Sequence, residues 1–331
     1  MKRFNMILGM TLALATAGFA EQGTLIDFSL LVPDQDNLHA ATAVDFSKQA
    51  GTSYTAEEKA AMKVSLSIDS WEVELASSAK TVGNTTNSMV RASEVKGDAS
   101  KFAGSKVMGV RVHFPEYAVN SYAFIKPPFE IPAYATQEGN TEAKPGSQFD
   151  GFGVIKNVGV IKSIQLNALG RNFPNGVSVV LEDQNGVEQQ VFIGYMNFDG
   201  WKALQWNNPN YQSDVRNREL YHSPLYPKSS PMVKLKGLII HRDSSQEGGD
   251  FISYFKDIKV IYDLAVIEKN VDVDDEGIWG ILQKREEESR NYELARLGNL
   301  QVLRKLEVLK MATDKDAFDA EAAAPAATTT N

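Results

Sequence analysis

The sequence predicts a mainly β protein: an antiparallel, jelly-roll-like β-sandwich followed by one long C-terminal α-helix. Three observations predict it. Apolar and polar residues alternate with period two in many short runs, as in strands with one buried and one wet face. Turn residues separate those runs, Asn185-Gly186 most clearly, and no helical segment intervenes. After Asp272 the apolar spacing changes to steps of three and four residues, which is helical.

At the start of the chain, Lys2 and Arg3 precede an apolar run from Met6 to Ala17, and Gly18-Phe19-Ala20 then offers small residues for cleavage. The run is too short to span ~30 Å of hydrocarbon comfortably. Residues 1–20 therefore read as a secretory signal peptide cut between Ala20 and Glu21, with no cysteine there for a lipid anchor. Strands follow. Ile26, Phe28 and Leu30 alternate with polar residues, as do Val64, Leu66 and Ile68, then Trp71, Val73 and Leu75. The parity flips at Asp69-Ser70, which predicts a bulge or a strand break. Met108, Val110, Val112 and Phe114 continue the pattern before a proline-marked stretch. Residues 136–151 read as an exposed loop.

Ile164, Leu166 and Ala168 open a second group of strands. Val177, Val179 and Leu181 go out, Asn185-Gly186 turns with both residues expected at positive φ, and Val187 to Tyr195 return. Trp201 to Trp206 form another strand, and residues 207–232 read as a long loop. Val233 to His241 and Phe251 to Leu264 close the set, giving roughly ten strands. One helix over 277–311 follows, with Gly298 the place where it can bend, and residues 312–331 read as a disordered tail. The plan is thus a sandwich domain over 21–271, a linker and helix over 272–311, and the tail.

Composition narrows the function. The chain has 331 residues, 34 basic against 42 acidic, and a net charge of −8, which argues against nucleic-acid binding. With no cysteine, disulfides, thiolate metal sites and cysteine nucleophiles are impossible. The 4 histidines are too scattered for a zinc-binding helix. Ser-x-x-Lys occurs at Ser77/Lys80, Ser93/Lys96 and Ser253/Lys256 without the companion elements of a serine acyltransferase. Asp272 to Gly277 resembles half a calcium loop, but Gln283 at its twelfth position cannot supply the bidentate carboxylate. Acids that open a helix explain the segment more simply. No catalytic, cofactor-binding or metal-binding residue is expected, and no membrane insertion of the mature chain.

Trp201, Trp206 and Tyr211 cluster near a loop edge, and aromatic platforms on sandwiches can stack on sugars. Five residues apart, the two tryptophans face opposite sides of one strand. Trp201 is expected to anchor packing.

The stretch from Phe198 to Leu220, FDGWKALQWNNPNYQSDVRNREL, resembles the spirochaete periplasmic flagellar filament outer-layer (sheath) protein family. Gly170-Arg171-Asn172-Phe173-Pro174, Tyr226-Pro227, Phe255-Lys256-Asp257-Ile258 and the Glu-rich helix extend the likeness over most of the mature chain. Its most specific residues are Gly200, Trp201, Trp206, Asn208 and Pro209. The resemblance implies a non-enzymatic, periplasmic subunit that coats a core of flagellin proteins. It also implies a role in filament stiffness, shape and motility, a jelly-roll fold like that of carbohydrate-binding modules, and self-association or contact with other sheath subunits. Ile278, Leu282, Tyr292, Leu300, Leu303 and Leu306 form the candidate assembly face of the helix. The alternative is a secreted carbohydrate-binding β-sandwich module; a hydrolase is the weakest reading.

Overall fold

The computed structural model describes residues 20–31, 43–60, 62–131, 149, 151–220, 226, 231–265 and 272–323. Fourteen strands form in these residues. They are β1 (Glu21–Asp27), β2 (Ala43–Asp45), β3 (Lys63–Ser65), β4 (Glu72–Leu75), β5 (Met89–Glu94), β6 (Lys106–Phe114) and β7 (Ser121–Lys126). Then come β8 (Val154–Lys156), β9 (Val158–Arg171), β10 (Gly176–Asp183), β11 (Glu188–Tyr195), β12 (Asp199–Asn207), β13 (Met232–Arg242) and β14 (Gly249–Leu264). The helices are α1 (Ala56–Ala60), α2 (Val82–Thr86), α3 (Tyr211–Leu220), α4 (Asp275–Trp279) and α5 (Ile281–Ala323).

Two six-stranded antiparallel sheets make a jelly-roll-like sandwich. The first has the order β12-β9-β14-β6-β5 and the second β11-β10-β13-β7-β4. Each is built on one long strand. β14 pairs with β9 along one side, while β6 and then β1 share the other. β13 pairs with β10 along one side and is shared by β8 and β7 along the other. Strand order alternates between sheets: β9 in the first is followed by β10 and β11 in the second, and β12 returns to the first. The inward residues meet in one core. Met108, Val110 and Val112 of β6 and Ile164, Leu166 and Ala168 of β9 face Val177, Val179 and Leu181 of β10 and Leu235, Leu238 and Ile240 of β13. These are the runs whose alternation predicted strands. A single cluster of this kind is what lets a cysteine-free sandwich hold together by burial.

Several expectations need correction. The first strand ends at Asp27, whose carboxylate accepts from the Ser29 backbone N–H and closes a 3₁₀ turn over Phe28–Leu30. Phe28 is buried by that turn, while Leu30 faces water. A bulge between Thr24 and Ile26 puts both Leu25 and Ile26 inside. The strand break expected at Asp69-Ser70 is present, as a 3₁₀ turn over Ile68–Ser70. The Asn185-Gly186 hairpin is real, but only Gly186 has positive φ, at +77°. The Gly186 N–H bonds to the Asp183 carbonyl, and the Asp183 side chain accepts from the Asn185 and Val187 N–H groups. That is a turn closed by a glycine bulge, a common alternative to the two-residue form.

The stretch read as a loop over 207–232 contains α3. Most of 136–151 lies outside the described residues, but Phe149 within it is fully buried, its ring 6.0 Å from that of Phe129. The C-terminal helix is broken at Gly280, which takes the left-handed conformation at φ +56° and ends α4. α5 then runs 43 residues, about 65 Å at ~1.5 Å per residue, and continues through Gly298 into the segment expected as a tail. Residues 1–19, with the expected signal peptide, and 324–331 lie outside the described residues. No helix among the described residues is long and apolar enough to cross a membrane.

Candidate assembly surfaces

The Trp-rich segment builds a corner where an edge strand meets a helix. Gly200 pairs with Gly170, and each residue from Trp201 to Asn207 pairs with one residue of β9. Leu204 is buried, so the inward parity is that of Leu204 and Trp206, and Trp206 packs partly against the core. Trp201 lies on the outer face, half-buried, edge-on to Phe102 with centroids 4.9 Å apart at 74°. Trp201 thus packs on the outer face, against Phe102, and Trp206 is the inward-facing member of the pair. Asn208 ties the corner together. Its Nδ2 donates to the Ile161 carbonyl at 2.9 Å and to Asp214 of α3 at 3.0 Å, and its Oδ1 accepts from the Asn210 N–H at 2.9 Å. Pro209 follows, and Tyr211 at the start of α3 donates its hydroxyl to the Asp263 carboxylate at 2.8 Å. The polar atoms of Asn208 and Tyr211 are used on protein partners, so this corner orients α3.

The C-terminal helices are started and docked by specific contacts. Asp274 caps α4 by accepting from the Gly277 N–H at 3.0 Å. This is the role the acidic run plays in the structure. Glu276 caps α5, accepting from the Leu282 and Gln283 N–H groups at 3.2 and 2.9 Å. Burial works to raise the Glu276 pKa, but those two N–H donors hold it below its ordinary value, as suits a carboxylate at a helix start. α5 touches its own sandwich around Leu297, which is buried, with Leu294 packed beside it. Gly298 makes the close approach possible, since a Cβ there would lie 2.2 Å from Gln49 Cγ. Arg296 reaches Glu130 at 3.9 Å.

Three further apolar residues of α5 point away from that contact. At about 100° per residue, Tyr292, Leu303 and Leu306 project roughly 120–180° around the helix from Leu297. They are 68%, 57% and 47% exposed, and Leu300 is 42% exposed. Ile278 and Trp279 of α4 are also exposed, and Leu282 is half-buried. The helix therefore carries two apolar stripes, one used at home and one open. Of the six expected assembly residues, five are open and Leu282 is partly covered.

Ion pairs missed by sequence reasoning brace the body. Lys234 and Lys236 of β13 meet Glu182 at 2.6 and 2.9 Å and Glu130 at 3.3 and 3.0 Å. Burial disfavours the Lys236 charge, but Glu182 and Glu130 outweigh it and push its pKa up. Lys256 sits at a bulge of β14, buried, with its ammonium 2.5 Å from Asp27 and 2.9 Å from Ser29. Burial acts to raise the Asp27 pKa, and the bonds from Lys256 and Ser29 more than reverse it. Outward parity on β10 and β13 was the available signal for Glu182, Lys234 and Lys236. The Lys256–Asp27 pair joins residues too distant in sequence for any pattern to show. Among the described residues no group of three or more His, Asp or Glu side chains is placed to hold a metal ion.

Comparison with known proteins bears on what these surfaces serve. Residues 35–271 match the family model described as flagellar filament outer layer protein FlaA. A flagellar filament outer layer protein of Spirochaeta aurantia is 63% identical over 331 residues, covering 99% of this chain and 98% of that one. Its counterpart in Treponema pallidum is 42% identical, covering 95% of each chain. That of Borreliella burgdorferi is 33% identical, covering 82% of this chain and 77% of the other. Two solved carbohydrate-binding modules, one described as of the β-sandwich superfamily and one bound to β-1,4-galactotriose, align with 59% of this chain. They cover 58% and 90% of their own chains at TM-scores of 0.31 and 0.28 and identities of 10% and 8%, too loose a likeness to carry an argument. The identity to three outer-layer proteins over most of each chain, and the match that includes the Trp201–Pro209 corner, place the chain in the flagellar filament outer layer protein FlaA family.

Proposed function

We propose that the chain is a non-enzymatic structural subunit that coats the flagellin core of a periplasmic flagellum and contributes to filament stiffness, shape and cell motility. Residues 21–271 would be the body of the coat, delivered by the leader over 1–20, and the helices after Asp272 its assembly arm. The observation that carries the assembly reading is the second apolar stripe of α5. Tyr292, Leu303 and Leu306 stay wet on a helix that meets its own sandwich near Leu297, and Leu300 is exposed beside that contact. Wet apolar surface is unfavourable by ~25 cal/mol per Å², so a stripe of this kind suits a neighbouring subunit or the core. The charged residues Lys284, Arg285, Glu287 and Glu288 beside it would set register more than affinity.

The test is complementation of a strain lacking the native protein, with either the full chain or a chain ending at Val271. The full chain should restore coated filaments. The shortened chain should be exported and folded but absent from filaments. Normal coating by the shortened chain would remove the helix from assembly.

A further inference from the structure

The outer face of the second sheet carries a cleft that the coat reading does not use. It is about 470 Å³ in volume, within the ~300–1,000 Å³ of small-molecule sites. Its floor is a row straight across four strands. Tyr195 of β11 pairs with Gly176 of β10, Gly176 with His241 of β13, and His241 with Tyr122 of β7. Gly176 leaves a notch that the Phe192 ring fills, since a Cβ there would stand 2.7 Å from Phe192 Cε2. The Phe192 ring lies 5.1 Å from that of Tyr195 and 6.3 Å from that of His241. Tyr122, Phe192 and Tyr195 remain 48%, 44% and 55% exposed.

The polar rim is fixed in place. His241 Nε2 accepts from Gln190 Nε2 at 3.1 Å and lies 2.8 Å from Ser178 Oγ. That assigns the ring hydrogen to Nδ1, and burial favours the neutral ring. Asn120 spends its Oδ1 on the Ser244 N–H, leaving its amide hydrogens free. Asp243 holds the Ser245 N–H and hydroxyl on Oδ1, leaving Oδ2 open as an acceptor. Arg242 offers no cation to a ligand. It is buried, and its guanidinium donates to the carbonyls of Tyr117, Val119 and Gln246 at 3.0, 2.8 and 2.9 Å.

The lining selects among ligand classes. With its arginine locked onto backbone and a carboxylate on its rim, the cleft offers no cation to balance a phosphate. Its polar rim would be left unpaired by a purely apolar molecule. Exposed aromatic rings beside fixed donors and one carboxylate acceptor suit a ligand with an apolar ring face and hydroxyls at its edge. We propose that this cleft is a binding site for a neutral pyranose saccharide, stacked on Tyr122, Phe192 and Tyr195 and hydrogen-bonded by His241, Asn120 and Asp243. The site is on the opposite sheet from Trp201, and it does not depend on the coat reading.

The test is calorimetric titration of the mature chain with cellohexaose and with chitohexaose, alongside Tyr195→Ala and Tyr122→Ala. A second arm measures binding of the same proteins to filament cores stripped of their outer layer, with and without periodate, which cleaves vicinal diols. We expect saturable binding of a hexaose or periodate-sensitive binding to cores, weakened at least tenfold in either variant with unchanged melting. Hexaose binding with periodate-insensitive core binding makes a free glycan the ligand; periodate-sensitive core binding makes it a glycan carried on the filament. Absence of both kinds of binding, or variants that bind like the native chain, would overturn the proposal.

Discussion

Replacing Leu300, Leu303 and Leu306 together by glutamine should cripple coating while leaving the fold intact. The three side chains are 42%, 57% and 47% exposed, on the side of α5 away from or beside Leu297, so they contribute little to the isolated chain. Leucine and glutamine have similar helix propensities, so α5 itself should persist. Full burial of a leucine is worth ~1.5–3 kcal/mol, and roughly half of each side chain is still wet. A partner covering all three would therefore gain about 2–4 kcal/mol, which at ~1.4 kcal/mol per decade is roughly 30- to 1,000-fold in affinity. The assay is co-sedimentation of purified native and variant chains with stripped filaments over a concentration series, with thermal melting of each alone. The variant should melt within about 2 °C of the native chain, the shift expected for ~0.5–1 kcal/mol, and need at least ~30-fold more protein for half-coating. Equal coating would refute the open stripe as the docking surface. A melting loss as large as the coating loss would mean that the leucines serve the chain's own fold.

Other outcomes follow from the same structure. The chain recovered from cells should begin at or next to Glu21, where β1 starts; N-terminal sequencing that finds Met1 on exported protein would contradict this. Trp71→Ala should cost ~3–5 kcal/mol by denaturant titration, because Trp71 is buried, donates to the Leu66 carbonyl at 3.1 Å and meets Phe28 edge-on. Trp201→Ala, on the outer face, should cost no more than ~1–2 kcal/mol in the same titration, the scale of one aromatic contact with partial burial. Asp27→Asn should cost ~3–5 kcal/mol, because it leaves the buried Lys256 ammonium without its counter-charge. The Asp27 carboxyl is held below its ordinary value of 3.8, so the unfolded chain takes up its proton first as pH falls. Its stabilisation is fully present above about pH 4 and is lost as pH drops through the lower folded value. Unfolding midpoints of the native chain should then fall in that acid window more steeply than those of Asp27→Asn.

Much of this fold is legible in the sequence because its central strands alternate cleanly. Met108 to Phe114, Ile164 to Ala168 and Val177 to Leu181 bury one face and wet the other, and period two reports that directly. Legibility fails where short-range polar bonds compete with strands. Asp27 bonding Ser29, and Asp45 bonding the Ser47 N–H, turn the chain into 3₁₀ geometry that apolar spacing does not register. Bulges hide residues too, since Leu25-Ile26 and Lys256 break the alternation that parity depends on. For the Trp pair the parity rule was right and its application incomplete. Leu204, the one buried aliphatic of that strand, shares the parity of Trp206 and could have identified it as the inward one. On α5 the three-four spacing shows that apolar faces exist. Only the packing of Leu297 against the sandwich shows which face is spent and which is open. The cleft at Tyr122, Phe192, Tyr195 and His241 was invisible for a related reason: it draws its rings from three strands, β7, β11 and β13, that are far apart in sequence.

Electron cryo-microscopy of isolated periplasmic filaments tests the central claim most directly. The account predicts two-sheet sandwiches arrayed around a flagellin core. In each, α5 should be seated on a neighbouring subunit or on the core, with Tyr292, Leu303 and Leu306 in the contact. Filaments whose outer layer lacks this chain, or an outer layer in which that face of α5 points into solvent, would contradict it.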